Sequence, residues 1–389
     1  MHYNPYDPAT HADPYPVYAR LRAEAPVYRN DELDFWALSH HADVAAGYLD
    51  HVRFSNVNGN TIEPASWGPN AWRYASVLGM DPPRHTNVRM PVYRALNQRL
   101  SEIEPAVRDL VRARLDAVLP SGEFDFVTDF AATFPIDVMS LVIGIPAGDR
   151  ELIRRLAEAV VAREEGSHDV PIVALEATLE LMDYYTALVR RRREERGDDL
   201  VSRVLDDVDR GAGITDEELV AFLNLITAAA NDTIIQLLSQ AWYWASRYPR
   251  QREIAFAGEI EGWIEETLRF DNPNQFAART AAVDIPLHDA VIPAGGRVLL
   301  LTGSANRDPA VFPDGDDYDL RRNTSSKLSF GNGRHFCLGA RLTRLEARVA
   351  LEELVASVAD FEIDEAGARL VVMAEARGFA ALPTSVQLR

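Results

Sequence analysis

Phe330-Gly331-Asn332-Gly333-Arg334-His335-Phe336-Cys337-Leu338-Gly339 carries the only cysteine of a 389-residue chain. It runs straight into a helical pattern, Ala340-Arg341-Leu342-Thr343-Arg344-Leu345-Glu346-Ala347. Glycines at 331, 333 and 339 let the backbone turn tightly and approach a bulky group. The helix that follows aims its N-terminal N–H groups and positive dipole end at the sulfur, which favours the thiolate. These are the needs of a thiolate metal ligand. A free cysteine by itself is more often a small buried apolar residue, so the rest of the chain has to decide.

Composition narrows the choices. With 40 Lys and Arg against 59 Asp and Glu, the formal charge is −19. Phosphate binding needs clustered cations, so a nucleic-acid partner is excluded. The one basic run, Arg190-Arg191-Arg192-Arg193, closes a predicted helix, where cations complement the dipole. A single cysteine excludes an intrachain disulfide and fits a reducing cytosol. The start, Met1-His2-Tyr3-Asn4-Pro5-Tyr6-Asp7-Pro8, has no signal-peptide core. No stretch reads as reaching the ~18 apolar residues of a span. The expectation is a cytoplasmic protein without a membrane anchor. No repeat or low-complexity linker divides the chain, so residues 1–389 are expected to form a single domain.

Apolar spacing of three and four residues predicts helices over Ile103–Val118, Arg150–Glu164, Ile172–Arg193, Asp216–Tyr248 and Arg252–Phe270. Strand-like runs are short: Phe35–Leu38, Arg297–Leu301, Leu370–Val372 and Val386–Leu388. The fold class expected is α+β, mostly α-helical, with small sheets. Thr215-Asp216-Glu217-Glu218 reads as a capping box opening the longest helix. Halfway along it, Ala228-Ala229-Ala230 precedes Asn231-Asp232-Thr233. Small residues such as Ala229 leave room for something flat. The polar trio is costly in an apolar helix unless satisfied, and Thr233 can bond back to a carbonyl four residues earlier.

The Phe330–Gly339 stretch fills every fixed position of Phe-Gly-x-Gly-x-His-x-Cys-x-Gly and resembles the haem-binding loop of bacterial cytochromes P450. Ala229–Thr233 resembles that family's Ala-Gly-x-Asp-Thr motif, with Ala230 in place of glycine and Ile234 in place of a frequent second threonine. Glu266-Thr267-Leu268-Arg269 resembles its Glu-x-x-Arg motif, with Arg322 as third member of a structural network and Tyr318 where the family usually has Phe. The resemblance spans nearly the whole chain, and it implies the cytochrome P450 fold with a long central helix.

The resemblance implies haem b with Cys337 as axial ligand, where a thiolate promotes O–O cleavage. Phe330, Gly331, Gly339 and Ala229 would line the cofactor. His85, Arg89, Arg279 and His335 stand at family-like positions for the two haem carboxylates, which need charge-assisted donors. His40, His41, His51, His168 and His288 have no such context. Thr233 would hydrogen-bond beside dioxygen and Asp232 would help deliver protons. The activity implied is a monooxygenase that uses O2 and two electrons to insert one oxygen atom into a small or mid-sized organic substrate.

Electrons would come from NAD(P)H through ferredoxin reductase and an acidic ferredoxin, docked on Arg334, Arg341 and Arg344. Candidate pocket residues are Asn58, Ile62, Trp67, Ile226, Thr227, Gln275, Phe276 and Phe379. They suit a partly polar natural product of secondary metabolism better than a fatty acid. The same oxidant also serves desaturation or oxidative coupling of an aromatic natural product. A non-catalytic haem-thiolate sensor would keep Cys337 but has no need of Asp232-Thr233.

Overall fold

The computed structural model describes residues 1–164 and 166–389. Its central feature is the helix Asp216–Arg247, 32 residues and so about 48 Å long. It starts where the sequence says it should. Thr215 Oγ1 accepts from the Glu218 N–H, and Glu218 Oε2 accepts from the Thr215 N–H, at 3.2 and 2.9 Å. Arg84 anchors the same carboxylate at 2.7 Å.

Around this rod pack the helices Pro135–Ile143, Arg150–Val160, Ile172–Glu194, Ile260–Phe270 and Ala340–Ser357. Trp242 stacks between Phe126 and Phe361, and its ring centroid is 3.6 Å from that of Phe361. That aromatic stack lies within the largest apolar cluster. A five-stranded sheet runs Val27–Asn30, Phe35–Leu38, Arg297–Leu300, Ala277–Ala281, Phe54–Ser55. Its only parallel pairing among the described residues joins Phe35–Leu38 to Arg297–Leu300. A three-stranded sheet gathers Glu123–Asp125, Pro383–Leu388 and Val358–Ile363. Helices dominate and the sheets are small, the α+β arrangement expected.

Four expectations are corrected. The Arg252–Phe270 helix is two, Pro249–Phe256 and Ile260–Phe270. The break falls at Gly258, whose φ of +108° no helix admits. The helix from Arg150 stops at Val160, and Leu370–Val372 contributes only Arg369–Leu370 as strand. Finally, two segments do reach the length and hydropathy of a membrane span, Phe126–Ile143 and Asp216–Arg247. They lie 72% and 61% buried inside the protein, as core helices do.

Candidate active site

The cysteine loop is held by its own backbone. Cys337 N–H donates to the Phe330 carbonyl at 2.9 Å and Gly331 N–H to Leu328 at 2.7 Å. Gly331 and Gly333 both sit at φ +69°, a conformation L side chains avoid. Both glycines face the helix His41–Leu49, whose Tyr48 and Leu49 touch them. A Cβ at Gly339 would stand 3.8 Å from Cys337 Sγ, in ordinary van der Waals contact, so the residue lies directly beside the sulfur. Burial pushes the thiol up. The N–H groups of Gly339 and Ala340 and the guanidinium groups of Arg89 and Arg344 pull it back toward the thiolate.

Beside the loop lies a set of donors without acceptors. His85 is 2% exposed, and its ring centroid is 4.2 Å from that of His335. None of their four ring nitrogens has a hydrogen-bond partner among the described residues. Burial drives His85 down to about 4 and His335 to about 2, and Arg89 adds to both shifts. Arg279, 4% exposed, donates only to the adjacent Ala278 carbonyl and lies over the Tyr48 ring. Arg89 donates to the Phe336 carbonyl. Neither arginine has a carboxylate partner among the described residues. One buried and one half-buried cation beside two neutral imidazoles are unstable company. They suit a ligand that brings two carboxylates.

The central helix supplies a flat wall. Ile226, Ala229, Ala230 and Thr233, one face by their spacing, are exposed or half-exposed in a helix buried on both sides of them. Thr233 Oγ1 donates to the Ala229 carbonyl at 2.8 Å, the back-bond expected. Asp232 Oδ1 accepts from Gln236 Nε2 at 3.2 Å. Burial raises the Asp232 carboxyl, and the charge of Arg163 partly offsets this.

Arg163 belongs to a charge cluster that sequence reading missed. Its guanidinium grips both oxygens of Glu63, 4% exposed, at 2.5 and 3.1 Å. Glu375, near both, has a buried Oε2 with no partner. Its carboxyl is pushed up to about 7, first by burial and then by Glu63. No local motif marks these residues, which lie 100 and more positions apart.

The pocket candidates divide. Ile62, Phe276 and Trp67 share one apolar cluster, and the Arg297 guanidinium lies 4.5 Å over the Trp67 ring. Asn58 donates to Thr280 Oγ1, and Gln275 to the Asn272 carbonyl. Ile226 lies on the open helix face. Two positions are corrected. Thr227 is fully buried in helix packing, with its hydroxyl shared between Tyr185 and the Leu223 carbonyl. Phe379 packs on Tyr243 at 4.7 Å and lines a separate cleft with Tyr15 and Trp244.

Glu266 and Arg269, at 1% and 0% side-chain exposure, form a two-pronged pair at 2.7 and 2.8 Å. Arg322 reaches the same carboxylate at 3.4 Å. Of the three arginines near the cysteine loop, Arg344 pairs with Glu265 at 2.6 and 3.1 Å, a carboxylate that the chain's single lysine, Lys327, also holds. Arg334 is exposed and Arg341 touches Asn97.

The sequence pattern described as cytochrome P450 matches residues 260–387. Cytochrome P450 123 of Mycobacterium tuberculosis is 46% identical over 99% of this chain and 97% of its own. The cytochrome P450 monooxygenase PikC of Streptomyces venezuelae is 35% identical over 96% and 91%. The solved structure of cytochrome P450 CYP109Q5 from Chondromyces apiculatus superposes with a TM-score of 0.89 at 29% identity, covering 99% and 98%. With the glycine-bounded cysteine, the acceptor-less donors and the open face of the long helix already in hand, this likeness assigns the chain to the cytochrome P450 family of haem-thiolate monooxygenases.

Proposed function

We propose that residues 1–389 work as one domain in which Cys337 is the axial ligand of haem, and that His85, His335, Arg89 and Arg279 hold the haem carboxylates. The observation that carries this is the unmatched donor set. Four groups gather beside the only thiol, and none of them has a carboxylate within pairing distance among the described residues. When bound, haem supplies the activation of dioxygen at a thiolate-ligated iron.

The chain's residues do the rest. Phe330 and the N–H groups of Gly339 and Ala340 shield the sulfur and draw off part of its charge. Ala229 and Ala230 keep the helix flat against the ring. Thr233 must leave its Ala229 carbonyl to donate outward, and its neighbour Asp232 holds a proton readily because burial raises its carboxyl. Glu266, Arg269 and Arg322 keep the loop Asn306–Asp319 in place beneath the site through carbonyls at Asn306, Gly315 and Asp317.

The substrate we infer is a mid-sized, partly polar organic molecule. The support is the mixture of apolar Ile62, Trp67 and Phe276 with Asn58 and the Glu63–Arg163 pair. Electrons come from a ferredoxin that meets Arg334 and Arg341, with Met90, Tyr93 and Phe336, each over 40% exposed, as apolar contacts alongside. Arg344 flanks that surface with its guanidinium held by Glu265.

The decisive experiment is the absorption spectrum of reduced, carbon-monoxide-treated holoprotein. The expected result is the red-shifted Soret band of axial sulfur, lost in Cys337→Ser while helix content is kept. A spectrum indifferent to that substitution overturns the assignment.

A further inference from the structure

Two histidines without context in the sequence, His40 and His288, meet across Asp43. His40 precedes the helix His41–Leu49, and Asp43 lies in its first turn. His288 sits in the turn between strands Ile285–Leu287 and Ala290–Ile292. Their side chains are partly exposed, 35% and 43%, and Asp43 is 13% exposed. The other end of the same helix touches the cysteine loop, about 13 Å away along the axis, so this is a separate place.

The hydrogen bonds fix the protons. His40 Nε2 lies 2.9 Å from the Arg22 carbonyl. A carbonyl only accepts, so that nitrogen carries the hydrogen. In the neutral ring Nδ1 is then a bare lone pair, and it faces Asp43 Oδ2 at 3.8 Å. His288 Nε2 approaches the same oxygen at 2.8 Å. The two rings stand edge-on, 81° apart, with centroids 5.9 Å from each other. Two imidazole nitrogens, His40 Nδ1 bare and His288 Nε2 donating to Asp43, and one carboxylate oxygen therefore lie within 4.8 Å of one another. It is the only such group of three among the described residues.

We propose that His40 Nδ1, Asp43 Oδ2 and His288 Nε2 bind a divalent transition cation of the zinc type. Metal–ligand distances of about 2.0–2.2 Å in a tetrahedral site put the ligand atoms roughly 3.3–3.5 Å apart. The observed 2.8 and 3.8 Å bracket that value, so small side-chain rotations suffice. The metal takes the place of the hydrogen that His288 Nε2 now donates to Asp43, and the neutral ring keeps its one hydrogen on Nδ1 instead. The Arg22 carbonyl orients His40 from behind, as outer-shell carbonyls do for metal-binding imidazoles. Water completes the fourth position on the exposed side. Two imidazoles and one carboxylate select zinc, nickel or copper over magnesium and calcium, which prefer all-oxygen sites. The bound ion clips the Ile285–Ile292 hairpin to the helix that buttresses the cysteine loop.

The test is calorimetric titration of Zn2+ into chelator-stripped holoenzyme, with thermal unfolding run alongside. The expected result is one equivalent bound, with affinity at least ten-fold weaker in His288→Ala. The thermal midpoint should rise with zinc in the parent and not in the variant. No binding, or equal binding by parent and variant, overturns the proposal. Asp43→Asn, which keeps the shape of the side chain, gives the same reading should His288→Ala fail to fold.

Discussion

Glu266–Arg269–Arg322 and His85–His335–Arg89–Arg279 are both buried polar clusters, and they are opposites. In the first, Arg269 places donors on Glu266, Asn306, Gly315 and Asp317, and Arg322 closes on the same carboxylate. In the second, four imidazole nitrogens have no partner and Arg279 has one adjacent carbonyl. A buried charge needs compensation wherever it lies. The first cluster finds it within the chain and so serves the fold. The second finds no such partner among the described residues, which is why we propose that it serves binding.

The largest effect should come from breaking the complete cluster. Arg269→Ala leaves Glu266 charged and buried, and is expected to cost about 3–5 kcal/mol in denaturant unfolding followed by circular dichroism. A cost below 1 kcal/mol would erase the distinction drawn here. In the incomplete cluster, Arg279→Ala should leave the stability of the haem-free chain unchanged or slightly raised, since an unpaired buried cation is removed. The holoprotein should instead release haem at least about ten-fold faster, roughly 1–2 kcal/mol of lost charge-assisted bonding, read by transfer to an acceptor apoprotein. Equal damage to the haem-free chain from both substitutions would mean that both clusters are structural.

Two substitutions on the central-helix side sharpen the comparison. Thr233 bonds only within its own helix, so Thr233→Ala should shift stability by less than about 1 kcal/mol. It should divert a several-fold larger share of electrons from product to peroxide or water. A coupled Thr233→Ala enzyme would remove that residue from the chemistry. The effect confined to a pH window concerns Glu375, whose carboxyl burial raises to about 7. A raised carboxyl favours the folded chain below the ordinary carboxylate range, and that contribution is lost as pH climbs through about 7. Parent stability should therefore fall relative to Glu375→Gln over this window, by at most about 1.4 kcal/mol per pH unit. Parallel pH profiles would show that Glu375 is solvated.

Features legible from the residues alone, as opposed to Arg322 and the His85–His335 pair that the family resemblance supplied, share one property: their partners lie close along the chain. The capping box at Thr215 and Glu218, the back-bond of Thr233 to Ala229, the Glu266–Arg269 pair and the glycine-bounded Cys337 span three to nine positions. Covalent spacing on a helix or turn fixes such geometry before packing begins. Pocket residues fared differently. Thr227 and Ile226 are neighbours on one helix, yet Tyr185 takes up the first and the open face keeps the second.

By itself, the sequence determined a helical chain with a thiol presented on a glycine-bounded loop at a helix start, and it identified the family by those residues. Tertiary structure alone decided which charges survive. Ala277–Ala281, weak in strand-forming residues, became a fully buried strand because two neighbours pair with it, and that strand carries Arg279 into the site. Arg344 found Glu265 across 79 positions, and Arg163 found Glu63 across 100. Coulomb energy depends on distance and burial in space, and neither can be read from separation along the chain.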